Sequence, residues 1–399
     1  MSNKEERKAP VLRFKGFTDD WEQRKLGDIA TFINGRAYSK NELLHQGKYK
    51  VLRVGNFYTN DSWYYSDMEL DKKYYANYGD LLYTWSATFG PHIWKGEKVI
   101  YHYHIWKIIL SDEITKNFTL QLLEHDKNRL LAEKSGSTMI HLTKKDMENK
   151  EIVIPSSTNE QDKVGLLLTK LDYLITLQQR KLSLIEKLRE NISEHIFSPD
   201  IMKFKNIDPE FEIKKLSDIS NIFIGLVTTM TKNYAKNGIL LIRNSNIKEN
   251  NFKFDNYIYL DSKFAEKNKN REMKIGDVVT VHTGDIGTSA VIEPKEENSI
   301  GFATITTRPN NKIINSYYLS DYLNTKKHKN WAVRMSTGDG RRNYNLKDFT
   351  RIRLNVPSLN YQIKIVALIK YLESFSKSEK KMINQLNSLK QFLLQNLFI

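Results

Sequence analysis

Two long stretches with an amphipathic pattern of apolar and polar positions stand out along the chain. No glycine or proline occurs between Gly165 and Pro199, or from Ser358 to Ile399. Apolar residues recur in both stretches at spacings of three to four, which predicts two helices of roughly 50 Å or longer. A narrow apolar stripe on so long a helix needs a partner, so the two helices are predicted to pack together; the alternative is that each lies across its own domain. The predicted packing positions are Leu171, Leu174, Leu182, Ile185, Leu188, Ile192, Leu372, Phe375, Ile383, Leu386, Leu389 and Leu393.

The rest of the chain reads as short strands, loops and occasional helices. Apolar runs ended by turn residues predict strands. They occupy residues 49–54, 81–84 and 152–154, and again 239–243, 278–281 and 354–356. The last run of each set ends at a proline, Pro155 or Pro357, which cannot donate to a strand ladder. Together with helical stretches such as residues 117–134, they predict mixed α and β units of about 140 residues.

These two sets are copies of each other. The pairs keep their order along the chain while the shift drifts only between 190 and 202, as in Lys25-Leu26 with Lys215-Leu216, Arg53 with Arg243, Gly79-Asp80 with Gly276-Asp277, Pro155 with Pro357, and Gln161 with Gln362. A repeat of about 200 residues is too long for a solenoid and indicates a tandem duplication.

Composition narrows the class of partner. The chain has 399 residues, 62 Lys and Arg against 47 Asp and Glu, a formal charge of +15 and no cysteine. The charge favours a polyanion such as nucleic acid, and the missing cysteines exclude disulfides and thiolate metal sites. No apolar run approaches the roughly 20 residues of a membrane span, and the polar start resembles no signal peptide, so we expect a cytoplasmic protein without a membrane partner.

Motifs for catalysis are not evident. We find no G-x-x-x-x-G-K-[ST] or G-x-G-x-x-G loop, and no Asn/Asp-Pro-Pro-aromatic stretch of the amino-methyltransferase kind. Asp285 with Glu293-Pro294-Lys295 fits a nuclease pattern only superficially, because a proline suits the required strand poorly. His102 and His104 share a strand face without a third ligand, so packing or solvent exposure is a better interpretation than a metal site.

The remaining candidates suit nucleic acid. Arginine can bond guanine and asparagine can bond adenine in a bidentate way, while small hydroxyl residues and glycines let backbone approach phosphate. The alternative for Arg53 and Arg243 is a structural ion pair. The aromatics at 63–65, 74–75 and 78 could stack on bases but more often fill a core. The predicted DNA-binding residues are Arg53, Asn56, Ser86, Ser137, Thr138, His141, Lys144, Arg243, Asn246, Thr283, Ser336, Thr337, Arg341, Arg342 and Asn343.

These features together resemble the specificity (S) subunits of type I restriction–modification systems. The segment from Pro10 to Asp28 resembles the start of that family's first target-recognition domain, and residues 201–218 resemble the start of its second. The long helices resemble the conserved spacer regions, entered through Pro155–Gln161 and Pro357–Gln362. A departure is that Glu160-Gln161 becomes Tyr361-Gln362 in the second copy.

The resemblance implies an α+β architecture with pseudo-two-fold symmetry. Two tandem mixed α/β target-recognition domains, 1–157 and 201–357, would be joined by the helices 158–200 and 358–399, packed as an antiparallel coiled coil. Each domain would read one half of a bipartite double-stranded DNA site. The helix pair would set the spacer and dock two modification (methyltransferase) subunits, and two restriction (translocase/nuclease) subunits would complete the assembly.

The same resemblance implies a non-catalytic subunit without a cofactor of its own. S-adenosylmethionine, ATP and Mg would belong to the partner subunits, which methylate adenine or cleave DNA. Two alternatives from other classes are a self-contained DNA-modifying enzyme with unrecognised motifs and a duplicated scaffold that binds other proteins.

Overall fold

The computed structural model describes residues 9–58, 60–86, 88–133, 142–197, 211–228, 231–337 and 342–399. The chain divides into two compact units. The first unit comprises Met1–Arg180 together with Lys381–Ile399, and the second comprises Lys181–Lys380. Each unit therefore contains one copy of the repeated segment and parts of both long helices, whereas the sequence-based division placed each helix in a segment of its own.

Ten strands lie in the described residues of the first unit. They are β1 (Glu22–Lys25), β2 (Ala30–Asn34), β3 (Tyr49–Leu52), β4 (Tyr64–Ser66), β5 (Tyr75–Ala76), β6 (Leu81–Thr84), β7 (Gly90–Ile93), β8 (Val99–Tyr101), β9 (Ile105–Leu110) and β10 (Glu151–Ile154). An antiparallel sheet has the order β2-β9-β6-β7, a second sheet has the order β4-β3-β8-β5, and β1 pairs with β10.

The second unit repeats the main strand pairings of the first. Its strands are β11 (Glu212–Lys215), β12 (Ser220–Ile224), β13 (Tyr234–Ala235), β14 (Ile239–Arg243), β15 (Ile247–Lys248), β16 (Asn251–Phe252), β17 (Tyr259–Leu260), β18 (Val278–Val281), β19 (Ser289–Val291), β20 (Ile300–Phe302), β21 (Thr304–Pro309), β22 (Ser336–Thr337), β23 (Asn343–Tyr344) and β24 (Arg353–Val356). The order β12-β21-β18-β19 matches that of the first sheet, β14 pairs with β20 in parallel as β3 does with β8, and β11 pairs with β24. The duplication predicted from the sequence is thus present in the fold.

The helices complete both units. They are Leu26–Ile29, Lys116–Glu133, Lys144–Glu148 and Thr158–Ile196, followed by Leu216–Ile219, Ser262–Lys267, Ser316–Leu323, Lys326–Arg334, Leu346–Phe349 and Leu359–Leu397. We call Thr158–Ile196 the first long helix and Leu359–Leu397 the second long helix. Among the described residues, no helix has the length and apolarity needed to cross a membrane.

In the first unit, successive side chains of strand β6 enter two different hydrophobic cores. Leu81 and Tyr83 of β6 enter a core that also contains Phe118, Leu168 and Leu394 from three helices. Leu82, between them, faces the opposite side and packs with residues of β3 and β8. Successive residues of a strand point to opposite faces, so β6, buried at every position, is covered on both sides.

A glutamine at an equivalent position anchors the start of each long helix. Gln161 is fully buried; its Nε2 donates to the carbonyl oxygens of Glu113 and Pro155 at 2.9 Å, and its Oε1 accepts from the Thr115 amide at 2.8 Å. In the second unit Gln362 donates to two carbonyl oxygens and accepts one amide in the same way. These contacts give the Gln161 and Gln362 match a structural reason, because the side chain satisfies backbone groups between strand and helix.

The long helices run antiparallel where they meet. Asp172 pairs with Lys390 at 2.6 Å in the first unit; in the second, Lys181 pairs with Glu379 at 2.7 Å and Arg189 with Glu373 at 3.3 Å. Partner numbers fall along the second long helix as they rise along the first, which is the antiparallel arrangement. The predicted fold class, two mixed units with paired long helices, is confirmed.

Burial along the helices differs from the predicted stripe. Of the twelve packing positions, Leu171, Ile185, Leu372 and Ile383 are buried, and Leu182, Ile192, Phe375, Leu386 and Leu393 are half-buried. Leu174, Leu188 and Leu389 are exposed by 46 to 50%. Val164, Leu168 and Ile369, which the stripe did not include, are buried because the helices also pack against the sheets and helices of their units.

Candidate nucleic-acid interface

Each unit presents an arginine at the end of a central strand, just before a tight turn. In the first unit Arg53 follows β3 and precedes a 3-10 turn at Val54–Phe57. Asn56 closes this turn, because its Oδ1 accepts the Arg53 amide at 3.0 Å and its Nδ2 donates to the carbonyl oxygens of Asn60 and Ser62. The turn is thereby held by a side chain rather than by a strand ladder.

The second unit builds the same turn from the same residue types. Asn246 accepts the Arg243 amide at 2.9 Å and donates to the Lys253 carbonyl oxygen at 3.1 Å. The amides of both asparagines are therefore engaged with backbone, a capping role that the sequence analysis did not assign to them. Base contact by Asn56 and Asn246 stays a prediction, and the geometry favours a positioning role.

Both strand-end arginines are half-buried. Arg53 donates from Nη2 to the Ser62 carbonyl oxygen at 3.1 Å and lies 4.3 Å from the ring centre of Tyr64. The Nε atoms of Arg53 and Arg243 are both buried without a hydrogen-bond partner in the described part of the chain. Neither arginine forms an ion pair there, so the alternative of a structural ion pair is not what the geometry shows.

In the second unit the fold brings several predicted residues together. Thr283, two residues past β18, donates through Oγ1 to Oδ1 of Asn343 at 2.8 Å, and its carbonyl oxygen accepts Nδ2 of Asn244 at 2.5 Å. Asn244 directly follows Arg243. The turn after β14, Thr283 and the start of β23 therefore lie together at one edge of the second unit. Gly284 adopts φ of +103°, a conformation that favours glycine, and donates its amide to the Arg342 carbonyl oxygen at 3.3 Å.

The equivalent edge of the first unit is aromatic. Trp85, the residue before Ser86, donates its Nε1 to the Tyr103 carbonyl oxygen at 3.0 Å and meets the His104 ring at 5.0 Å. Burial lowers the pKa of His102 to about 4, helped by the nearby His104 and the positive charge of Arg53. The two histidines are thus neutral and packed among aromatic rings near neutral pH, and with Trp85 they are residues that sequence reasoning missed as part of this edge.

Other predicted residues have local partners. Ser86 is half-buried, Lys144 pairs with Glu148 at 3.4 Å, and Ser336 donates to the Val333 carbonyl oxygen at 2.7 Å while β22 carries Thr337 opposite Asn343. The predicted residues Ser137, Thr138, His141 and Arg341 lie outside the described residues.

Among the predicted aromatics, Tyr75 is buried whereas Tyr78 is 76% exposed. Tyr64 stands beside Arg53 at the margin of the edge. No group of three or more carboxylate or imidazole side chains that could hold a metal ion occurs in the portion of the chain that the structure describes.

Two mixed α/β units with repeated strand pairings define a two-domain protein, and their candidate site residues suit the recognition of nucleic acid. The comparison with family models agrees, and the chain belongs to the family described as "Type I restriction modification DNA specificity domain", which matches residues 18–187 and 209–388.

Relatives with curated names carry the same description. The chain is 21% identical over 410 residues to the Type I restriction enzyme EcoBI specificity subunit of Escherichia coli, covering 95% of this chain and 86% of that protein. It is 22% identical over 276 residues to the Type I restriction enzyme MjaVIII specificity subunit of Methanocaldococcus jannaschii, covering 65% and 63% of the two chains.

Solved structures share the fold. The S subunit of a type I restriction–modification system from M. genitalium aligns with a TM-score of 0.62 at 18% identity, covering 98% of this chain and 99% of that one. A chain solved in work on complex assembly and conformational transition of the type I R-M system aligns with a TM-score of 0.57 at 15% identity and the same coverage.

Proposed function

We propose that this chain is the DNA-reading specificity subunit of a type I restriction–modification complex. Each unit reads one half of a bipartite site in double-stranded DNA. The observation that carries the proposal is the duplicated strand-end turn, in which Arg53 and Arg243 occupy equivalent places and are free of ion pairs in the described residues. Membership of the specificity family and the names of the relatives support it.

The chemistry of reading follows from these groups. A guanidinium can bond O6 and N7 of guanine at once, and such a pair is worth about 1–3 kcal/mol of discrimination. Asn56 and Asn246 position the arginines by closing the turns, and Thr283 with Asn343 offers hydroxyl and amide groups beside Arg243. The loops that carry Arg341 and Ser137 would contact phosphate. The two edges differ in composition, so the two half-sites should differ in sequence.

The chain itself supplies recognition and leaves chemistry to partners. Two modification subunits that bind S-adenosylmethionine would dock on the helix pair, and two restriction subunits that use ATP and Mg would join them. The paired helices would set the spacing between half-sites. Support comes from the relatives' designation as specificity subunits of type I restriction enzymes.

A test begins by mapping methylated adenines in the host genome, which defines both half-sites. Arg53→Ala and Arg243→Ala are then introduced separately into the complex with its modification subunits. Each should relax discrimination in a different half-site, by about 1–3 kcal/mol. The matched control is Arg24→Ala, which removes an exposed arginine paired with Glu22 and Glu113 and should change neither half-site.

Two results would overturn the proposal. One is methylation or cleavage of DNA by the purified chain without partners, which would identify a self-contained enzyme. The other is an absence of sequence-selective DNA binding even when the modification subunits are present, which would identify a protein-binding scaffold.

A further inference from the structure

A basic pocket lies in the second unit, on the side of the helix Lys326–Arg334. Its volume is about 290 Å³. Its walls include the aromatic rings of Tyr322 and Trp331, and its cationic side chains are Lys327, Arg334, Arg351 and Arg353. Among the described residues no carboxylate lines it, so the pocket concentrates positive charge at the surface of the unit.

The four cations have little compensation inside the protein. In the described part of the chain, Arg351 alone of the four has a carboxylate partner, Asp348 at 3.8 Å, and its side chain remains 60% exposed. Within the described ranges, Lys327, Arg334 and Arg353 form no ion pair. Clustered like charges without counter-ions destabilise a fold, so their presence together indicates a site for an anion.

The sheet beside the pocket adds to this repulsion. In β11 and β24, Lys215 lies directly opposite Arg353, and like charges at facing positions destabilise a strand pair. The first unit resolves the equivalent position differently, because Lys25 there faces Glu151. The facing pair of like charges is therefore a feature of the second unit that the equivalent position of the first unit does not repeat.

The pocket is continuous with the candidate interface. The helix Lys326–Arg334 leads directly into β22, which pairs with β23 at Asn343. Buried His328 lies 3.1 Å from the Tyr344 hydroxyl through Nε2, and the Tyr344 amide donates to the His282 carbonyl oxygen at 2.8 Å. Chain connection and hydrogen bonds thus link the pocket to the edge that holds Thr283 and Asn343.

We propose that this basic pocket binds backbone phosphates of DNA just outside the base pairs that the second unit reads. Arginine forks match phosphate oxygens bidentately, and phosphate contacts fix register and orientation without reading sequence. The inference rests on the proposed function and gives the second unit a contact with DNA that flanks its half-site.

The test measures DNA binding of the complex by fluorescence anisotropy across a series of KCl concentrations. Arg351→Gln with Arg353→Gln should weaken binding to cognate and unrelated duplexes by the same factor. The magnitude of the negative slope of log K against log [salt] should decrease by about 2, one for each lost phosphate contact. On a duplex trimmed at the edge of the second half-site, native and variant complexes should bind alike.

Controls separate a specific loss from a general one. Lys263→Gln with Lys267→Gln removes two positive charges from exposed positions of a helix in the same unit and should leave the slope unchanged. Lys327→Gln with Arg334→Gln provides a second pocket pair, should the first fail to fold by circular dichroism. Each pocket pair that folds must reduce the magnitude of the slope for the proposal to stand.

The outcomes also distinguish the source of the phosphate. In a titration with AMP followed by tryptophan fluorescence, we expect no saturable binding at the pocket. Saturable binding of AMP that the pocket variants abolish would identify a free nucleotide as the ligand and overturn the DNA assignment. A native complex that binds selectively while pocket variants keep the native salt slope refutes only this inference. A native complex without selectivity refutes the proposed function.

Discussion

Replacing Gln161 by alanine should open the junction between β10 and the first long helix. The side chain makes three hydrogen bonds with buried backbone, to the carbonyl oxygens of Glu113 and Pro155 and from the Thr115 amide. Each lost bond costs about 1 kcal/mol, and more where a buried group is left unsatisfied, so the junction should lose about 3 kcal/mol.

The Thr115 amide reports this loss directly. A change of about 3 kcal/mol corresponds to roughly a hundredfold faster exchange by local opening, since each 1.4 kcal/mol is a factor of ten. Hydrogen–deuterium exchange with residue-level resolution measures it. Gln362→Ala should have the same effect on the Asn315 amide in the second unit, because that amide donates to Gln362 at 2.8 Å.

Gln178→Ala is the matched control. Gln178 lies on the same helix, and its Oε1 has no hydrogen-bond partner among the described residues. Alanine is also a good helix former, so this substitution should leave the exchange of Thr115 unchanged. If Gln161→Ala leaves Thr115 exchanging as slowly as in the native chain, the anchoring role of the glutamine is refuted.

Three further outcomes are expected. Exchanging residues 1–150 for those of another specificity subunit should change only one half of the methylated site; sequencing that shows both halves altered contradicts the modular reading. Adding the same whole number of turns to both long helices should lengthen the spacer between half-sites. An unchanged spacer would contradict the idea that helix length sets the spacing. Burial raises the pKa of Asp321 to about 7, above the value near 4 of an unfolded aspartate. The folded chain keeps a proton that the unfolded chain loses, so stability should fall as pH rises from about 4 to about 7. In urea unfolding across that range, Asp321→Asn should remove this decline while its amide oxygen still accepts from Asn250; an identical decline in both proteins would contradict it.

The duplication and the helices were visible in the sequence because both are carried by local patterns. A run of more than thirty residues without glycine or proline, with apolar positions every three or four, has few structures open to it other than a helix. The observed helices, Thr158–Ile196 and Leu359–Leu397, lie within the predicted 158–200 and 358–399. Matches such as Gln161 with Gln362 were recognisable as residue types before their shared hydrogen bonds explained them.

The packing face of the helices could not be read from periodicity alone. A stripe shows which residues share a side of the helix but not how many neighbours cover it. Val164 and Leu168 are buried because strands and helices of the first unit flank the helix there, while Leu174 has no such cover and is 49% exposed. Because of contacts with distant segments, the buried face of the helix is wider than the predicted stripe and includes different residues.

Roles at the candidate site depended even more on the tertiary structure. Residue type alone made Asn56 and Asn246 candidates for adenine contacts, yet the fold surrounds each amide with backbone groups that it caps. Trp85 and His104 drew no prediction of DNA contact, and they meet only because β6 and the connection before β9 end at the same edge.

The sequence by itself determined that this chain is a duplicated, basic protein with two long paired helices and the resemblance of a specificity subunit. Those properties follow from the composition of the chain and from the spacing and order of its residues, all of which can be read along the sequence. Only the tertiary structure decided which polar groups are satisfied and which remain open. Thr283 meets Asn343 across 60 residues of sequence and Gln161 meets the Glu113 carbonyl oxygen across 48, because hydrogen bonding and charge compensation depend on distance in space.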